Sequence, residues 1–169
     1  MVKISCKVII ETPWGILLVK DALDPRKRYA LPGGQFERKH GDFEHAAVTE
    51  VYEELKLAVK RGKIKELYSL KAKPLPDGTP HEMRIFVAKV RNSYRHGTLK
   101  RKHLQTDEVL DIGFLSGKRS SGGSRLPLQG HVSNVVANYV KTKLRAHYRK
   151  KWLSNIIIDD ELLGNWVKV

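Results

Sequence analysis

The chain has 169 residues, of which 41% are hydrophobic and 30% charged, and 32 Lys and Arg against 18 Asp and Glu give a formal charge of +14. This fits one globular domain with at most a modest extension, excludes a disordered or collagen-like chain, and makes a polyanionic ligand a reasonable first expectation. One cysteine, Cys6, excludes an internal disulfide and a cysteine-based metal cluster.

No apolar run approaches the roughly 18 residues of a membrane span, and the N-terminus lacks a signal peptide's apolar stretch. No membrane partner is expected, and the expected compartment is cytoplasmic and reducing.

Residues 3–10 are rich in β-branched side chains and read as a strand, with Cys6 as a small buried member. They stop at Glu11-Thr12-Pro13-Trp14-Gly15, and Ile16-Leu17-Leu18-Val19 follows as the second strand of a hairpin. A polar loop from Asp21 to Arg28 leads into Leu31-Pro32-Gly33-Gly34. From about Asp42 the period changes: Ala47, Val51 and Leu55 recur every four residues, which predicts a helix with one apolar stripe. Asp42 suits its cap and Glu44 its first turn.

Ile64–Ala72 and Met83–Val90 read as strands joined by a turn containing Asp77-Gly78 among prolines. Val109–Leu115 is a further short strand, and residues 116–124 are a Gly/Ser-rich loop. Val132–Arg149 predicts a second helix with Val135, Val136, Tyr139, Val140, Leu144 and Tyr148 on its apolar face. Residues 156–169 are too mixed to assign. Elements in this order predict an α/β domain over 1–150, its sheet covered on both faces, with 151–169 as an extension packed on it or trailing from it.

Six of the 18 carboxylates fall between residues 37 and 54: Glu37, Asp42, Glu44, Glu50, Glu53 and Glu54. At roughly 100° per residue, Glu54 lies about 40° from Glu50 and Glu53 about 60° on its other side, so the three share a face. Such a pattern is often only a solvated helix face. Like charges at this spacing repel, however, and a hard divalent cation held between them removes the repulsion. The Gly-Gly turn just before the helix allows backbone groups to approach a ligand that a Cβ would obstruct.

Leu31-Pro32-Gly33-Gly34, then Ala46-Ala47-Val48 and Glu50-Val51-Tyr52-Glu53-Glu54, resemble the signature of the Nudix hydrolase family over residues 34–57. Three positions depart from it: Thr49 stands in place of Arg, Lys56 in place of Gly, and the spacing from Gly34 to the helix is one residue longer. The first signature glutamate has no direct counterpart, and Asp42 is the nearest acid by context.

The resemblance implies an α/β/α sandwich with a mixed sheet. It also implies Mg²⁺ or Mn²⁺ held by the Gly34 carbonyl, Glu50, Glu53 and Glu54, with Glu50 as a further ligand or a base. The implied reaction is water attack on one phosphorus of a nucleoside diphosphate-linked compound. Glu50, Glu53 and Glu108, the last at a loop-to-strand junction, are the expected catalytic carboxylates, although Glu108 reads equally well as an exposed strand-edge charge.

Basic residues are segregated as clearly as acids. No acid occurs from Met83 to Thr106 or from Ile112 to Ile158. Arg84, Lys118 and Arg119 are the candidates for contacting substrate phosphate. Gly117-Lys118 is not a P-loop, because only three residues separate it from Gly113 and Arg119 replaces the hydroxyl residue.

Tyr148 and Trp152 beside the basic end of the second helix offer either stacking surfaces for RNA bases or ordinary packing. The alternative function is therefore a Nudix-fold module that binds RNA or nucleotides without turnover. The residues leave the nucleotide open, and homodimers, common in that family, leave a second copy of the chain open as a partner.

Overall fold

The computed structural model describes residues 1–13, 15–90, 107–115 and 128–143, with the backbone alone of 166–168. Seven strands and two helices follow in chain order. They are β1 (Lys3–Thr12), β2 (Gly15–Asp21), β3 (Tyr29–Ala30), α1 (Phe43–Leu55), β4 (Ile64–Ala72), β5 (His81–Lys89), β6 (Val109–Leu115), α2 (Gly130–Lys143) and β7 (Trp166–Lys168). Every strand and helix expected from the patterning is present, most with ends moved by one or two residues. The second helix opens at Gly130, and the remainder of its expected span, residues 144–149, lies outside the described residues.

β3 and β7 were not foreseen. Two residues are too short for a periodic signal, and β7 lies in the unassigned C-terminal stretch. There it pairs antiparallel with β4, Ser69 opposite Val167.

The strand order is β3-β2-β1-β5-β4-β7, with β6 on the remaining edge of β2. β1 and β5 run parallel, in register from Lys3 opposite His81 to Glu11 opposite Lys89, and the other strand pairs are antiparallel. Val8, Ile9 and Ile10 are each fully buried. Successive side chains of a strand point to opposite faces, so β1 is covered on both. α1 covers it with Ala46, Ala47, Val51 and Leu55, and α2 contributes Val132, Val135, Val136, Tyr139 and Val140 to the same core. This mixed sheet flanked by helices is the α/β/α sandwich that the sequence implied.

One departure from regular pairing creates the cleft. β1 and β2 are paired only from Ile10 to Thr12 and then diverge. The segment Pro32–Phe36 takes β2's place along the edge of β1. The Val8 amide donates to the Pro32 carbonyl at 2.9 Å, the Cys6 amide to Gly34 at 2.9 Å, and the Phe36 amide to Ile4 at 2.8 Å. The Gly-Gly turn is thus bonded to the sheet as an irregular strand. A register shift between Lys20 and Asp21 re-aims the end of β2 beside it.

Candidate active site

A cleft of about 310 Å³ opens where β1 and β2 part. Its lining includes Lys7, Asp21, Gly33, Gly34, Glu37, Glu50, Glu54 and Glu108. The fold brings them together from β1, β2, the Pro32–Glu37 segment, α1 and the turn that leads into β6.

Gly33 is the fixed point. Its φ of 124° lies in a region that side chains rarely adopt, and a Cβ there would lie 2.0 Å from the Cys6 carbonyl oxygen. Gly34 is constrained differently, because a Cβ would lie 2.3 Å from a carboxylate oxygen of Glu50. The two glycines let the chain pass between the edge of β1 and the acidic face of α1.

Glu54 does not sit on a solvated face. It is only 8% exposed, and its Oε2 accepts the Gly33 amide at 2.9 Å. Burial holds its carboxyl above the usual range, and nearby Glu108 and Asp21 push the same way, while Lys7 and the Gly33 N–H oppose them. Glu50 is half-buried, and its carboxyl is pushed up to about 7. Burial is the main cause, followed by the charges of Glu54 and Glu53, with Lys7 pulling the other way. Glu53 differs from both: it is exposed and is not part of the lining, although its charge is felt by Glu50.

The other expected residues divide. Glu108 reaches the cleft and adds to the negative field at Glu50 and Glu54. Gly34 lines it too, with its carbonyl already accepting the Cys6 amide. Arg84 is engaged elsewhere. It donates to Glu66 at 2.9 Å, lies 3.5 Å from Glu82, and stacks with its guanidinium carbon 4.0 Å from the centre of the Phe43 ring. Lys118 and Arg119 lie outside the described residues.

Asp42 caps α1, accepting the His45 amide at 2.7 Å, and pairs with Arg61 at 2.5 Å. It does not line the cleft. Glu37 does, and it pairs with Lys39 at 3.0 Å. His40 is buried and accepts the Glu37 amide at 3.1 Å, closing the turn ahead of α1.

Lys7, Asp21 and Glu37 are the charged lining residues that the sequence did not mark out as site residues. Lys7 left one signal, a lone cation at the head of the apolar run Val8-Ile9-Ile10. Its ammonium donates to the Gly33 carbonyl. Asp21 is held by the Leu23 amide and the Gln129 side chain, each at 2.8 Å.

Among the described lining residues there are five acids, Asp21, Glu37, Glu50, Glu54 and Glu108, and one cation, Lys7. Among the described residues no three acidic, histidine or cysteine side chains converge as a ready-made metal centre. No helix among them is long and apolar enough to cross a membrane.

Comparison with known proteins supplies the frame for this geometry. The NUDIX domain family model matches residues 3–118. No curated protein matches the sequence. Among solved structures, a MutT NUDIX hydrolase from Burkholderia pseudomallei shares 20% identity over 78% of this chain and 93% of its own, with a TM-score of 0.58. A NUDIX hydrolase from Nitrosomonas europaea shares 18% over 85% and 91%, with a TM-score of 0.61. A bifunctional NMN adenylyltransferase/ADP ribose pyrophosphatase from Francisella tularensis, solved with AMP and a manganese ion, is 12% identical over 83% and 41%, with a TM-score of 0.64.

These likenesses concern the fold, and the family match covers the glycine turn, α1 and Glu108 together. The chain belongs to the NUDIX domain family.

Proposed function

We propose that this protein is a metal-dependent hydrolase that cleaves the diphosphate linkage of a nucleoside diphosphate-linked compound by attack of water on phosphorus. The observation that carries this reading is the sign of the cleft. Among the described lining residues, five carboxylates against one ammonium repel a phosphate-rich ligand. Such a ligand enters an acidic cleft only when cations accompany it, so the acids are better read as donors for a cation than as contacts for the substrate.

The residues present fit a hard divalent cation. Carboxylate and carbonyl oxygens are the donors that Mg²⁺ and Mn²⁺ prefer. Glu50 and Glu54 crowd each other at the edge of a glycine turn, which leaves two like charges that a cation would relieve. Glu50, Glu54 and a carbonyl of the Gly33-Gly34 turn are the proposed holders, with Glu53 able to join from the exposed side of α1. When bound, a divalent ion neutralises charge on phosphate oxygens and acidifies a bound water.

The chain's own groups supply the rest. Glu54 is anchored through the Gly33 amide and keeps its place on the turn. Glu50 faces the cleft beside Gly34 and Glu108 faces it from the turn before β6, two carboxylates able to accept a proton from an attacking water. Arg84 is committed to Glu66, Glu82 and Phe43, so contact with substrate phosphate falls to other cations. The reading of an RNA-binding module gains nothing from the described lining of the cleft, which is acidic; of the two basic stretches on which it rested, Arg84, Lys89, Lys141 and Lys143 are described and do not line the cleft, and the rest, with Tyr148 and Trp152, lies outside the described residues.

The test is a panel of diphosphate substrates (dinucleoside polyphosphates, nucleotide sugars, ADP-ribose, nucleoside triphosphates and 5′-phosphorylated RNA) assayed with Mg²⁺ and with Mn²⁺. Glu50→Gln should reduce turnover of whichever member is cleaved by about 10² to 10⁴, the usual range for removing a positioned acid or base. Release of no product from any member by the wild type, with RNA still bound, would leave the binding-module reading in its place.

A further inference from the structure

Lys7 is the one cation among the described lining residues, and the proposed chemistry leaves it without a role. It stands on β1 between Cys6 and Val8, both fully buried. Its ammonium donates to the Gly33 carbonyl, and Glu54 accepts the amide of the same glycine. One residue is therefore gripped at one end by a cation and at the other by an anion.

The glycine so gripped has little freedom to move. Its turn is bonded to β1 through the Val8 and Cys6 amides, and its φ of 124° leaves no room for a side chain. The ammonium so placed acts on the carboxylates of the cleft through its charge, favouring the ionised forms of Glu50 and Glu54. A carbonyl and carboxylate oxygens are also the donors that a hard divalent cation takes. An ammonium and a divalent ion repel each other, and both cannot use the same oxygens.

We propose that Lys7 is the resident counter-cation of the cleft, holding the Gly33 turn and the α1 carboxylates together until a divalent cation displaces it. The inference rests on reading the cleft as a divalent-cation site. It adds that this chain carries a built-in competitor for that site. Metal affinity is therefore set below what the carboxylates alone would give, and the empty cleft does not depend on metal for its integrity.

The experiment is a Mn²⁺ titration followed by the electron paramagnetic resonance signal of free Mn²⁺, with thermal unfolding in EDTA and in excess Mn²⁺. Wild type is compared with Lys7→Met, which removes charge and donor, and with Lys7→Gln, which removes the charge and keeps a donor for the Gly33 carbonyl. Both variants should bind Mn²⁺ on the order of tenfold more tightly than wild type. Both should melt below wild type in EDTA, and excess Mn²⁺ should close that gap. If Lys7→Met does not fold, Lys7→Gln carries the affinity test.

Binding that is unchanged or weaker in the variants, with wild type still binding Mn²⁺, overturns the role of Lys7 and leaves the cation site standing. Absence of Mn²⁺ binding in wild type and variants overturns the cation site and the role of Lys7 with it.

Discussion

α1 and α2 are helices of 13 and 14 residues that pack on the same sheet and solve different problems. α2 buries valines, an alanine and a tyrosine, and its buried polar residues are the uncharged Ser133 and Asn134. α1 buries two alanines, a valine and a leucine, and with them the carboxylate of Glu54. A buried carboxylate costs stability unless something compensates it, and the Gly33 amide compensates only in part, since the carboxyl is held above its usual range. Among its described residues α2 buries no carboxylate, whereas α1 gives up some stability to place negative charge against the glycine turn.

This difference can be broken by exchanging what is removed from each helix. Glu54→Gln is expected to lower hydrolytic turnover by at least about 10². Gln can still accept the Gly33 amide, and the buried charge is gone, so unfolding should show stability equal to wild type or higher.

Val136→Ala in α2 should do the reverse. The loss of two buried methyl groups and the space they leave should cost roughly 2 kcal/mol, about 4–8 °C in a chain of this length, with turnover per folded molecule unchanged. Paired assays of turnover and melting temperature on the two variants measure both. If Val136→Ala also abolished turnover at temperatures where it is folded, the division between the helices would be wrong.

A smaller effect sharpens the picture of how α1 ends. Lys56 adopts φ 53°, ψ 27° as the helix C-cap and donates its amide to the Tyr52 carbonyl. A left-handed residue at that place is usually glycine, which is what the family signature carries where this chain has lysine. Lys56 recovers part of the strain by donating from its ammonium to the Glu53 carbonyl at 3.0 Å. Lys56→Gly should raise stability by about 0.5–1 kcal/mol, or roughly 1–4 °C, in thermal unfolding. The departure at Lys56 therefore belongs to the helix end and need not touch the chemistry.

Much of the fold was legible because it rests on local periodicity. The β-branched run of β1, the short apolar stretches of β2 and β6, the four-residue repeat of α1 and the Asp-Gly turn between β4 and β5 are all visible in neighbouring residues. The parallel pairing of β1 with β5 and the divergence of β1 from β2 were not, because they join residues some 80 positions apart or depend on which edge the Pro32–Phe36 segment occupies.

The candidate site divides along the same line. Helical geometry placed Glu50, Glu53 and Glu54 on one face, yet it could not show that the turn packs against that face and buries Glu54 while leaving Glu53 in solvent. Lys7 was hidden because a lysine in a strand reads as an outward-facing residue, and only the parting of the strands turns it into a cleft. Arg84 shows the converse: no acid follows it in its own stretch up to Thr106, and the sheet places it beside Glu66 and Glu82, which pair with it.

The overall charge of +14 is likewise no guide to the site, because the described lining of the cleft is acidic. The account therefore depends on a divalent cation reversing that local sign. Anomalous diffraction from crystals of the protein soaked in Mn²⁺ tests this most directly. The account predicts a manganese peak in the cleft, within coordination distance of Glu50, Glu54 and a carbonyl of the Gly33-Gly34 turn. A cleft without manganese, at concentrations that saturate turnover, would contradict it.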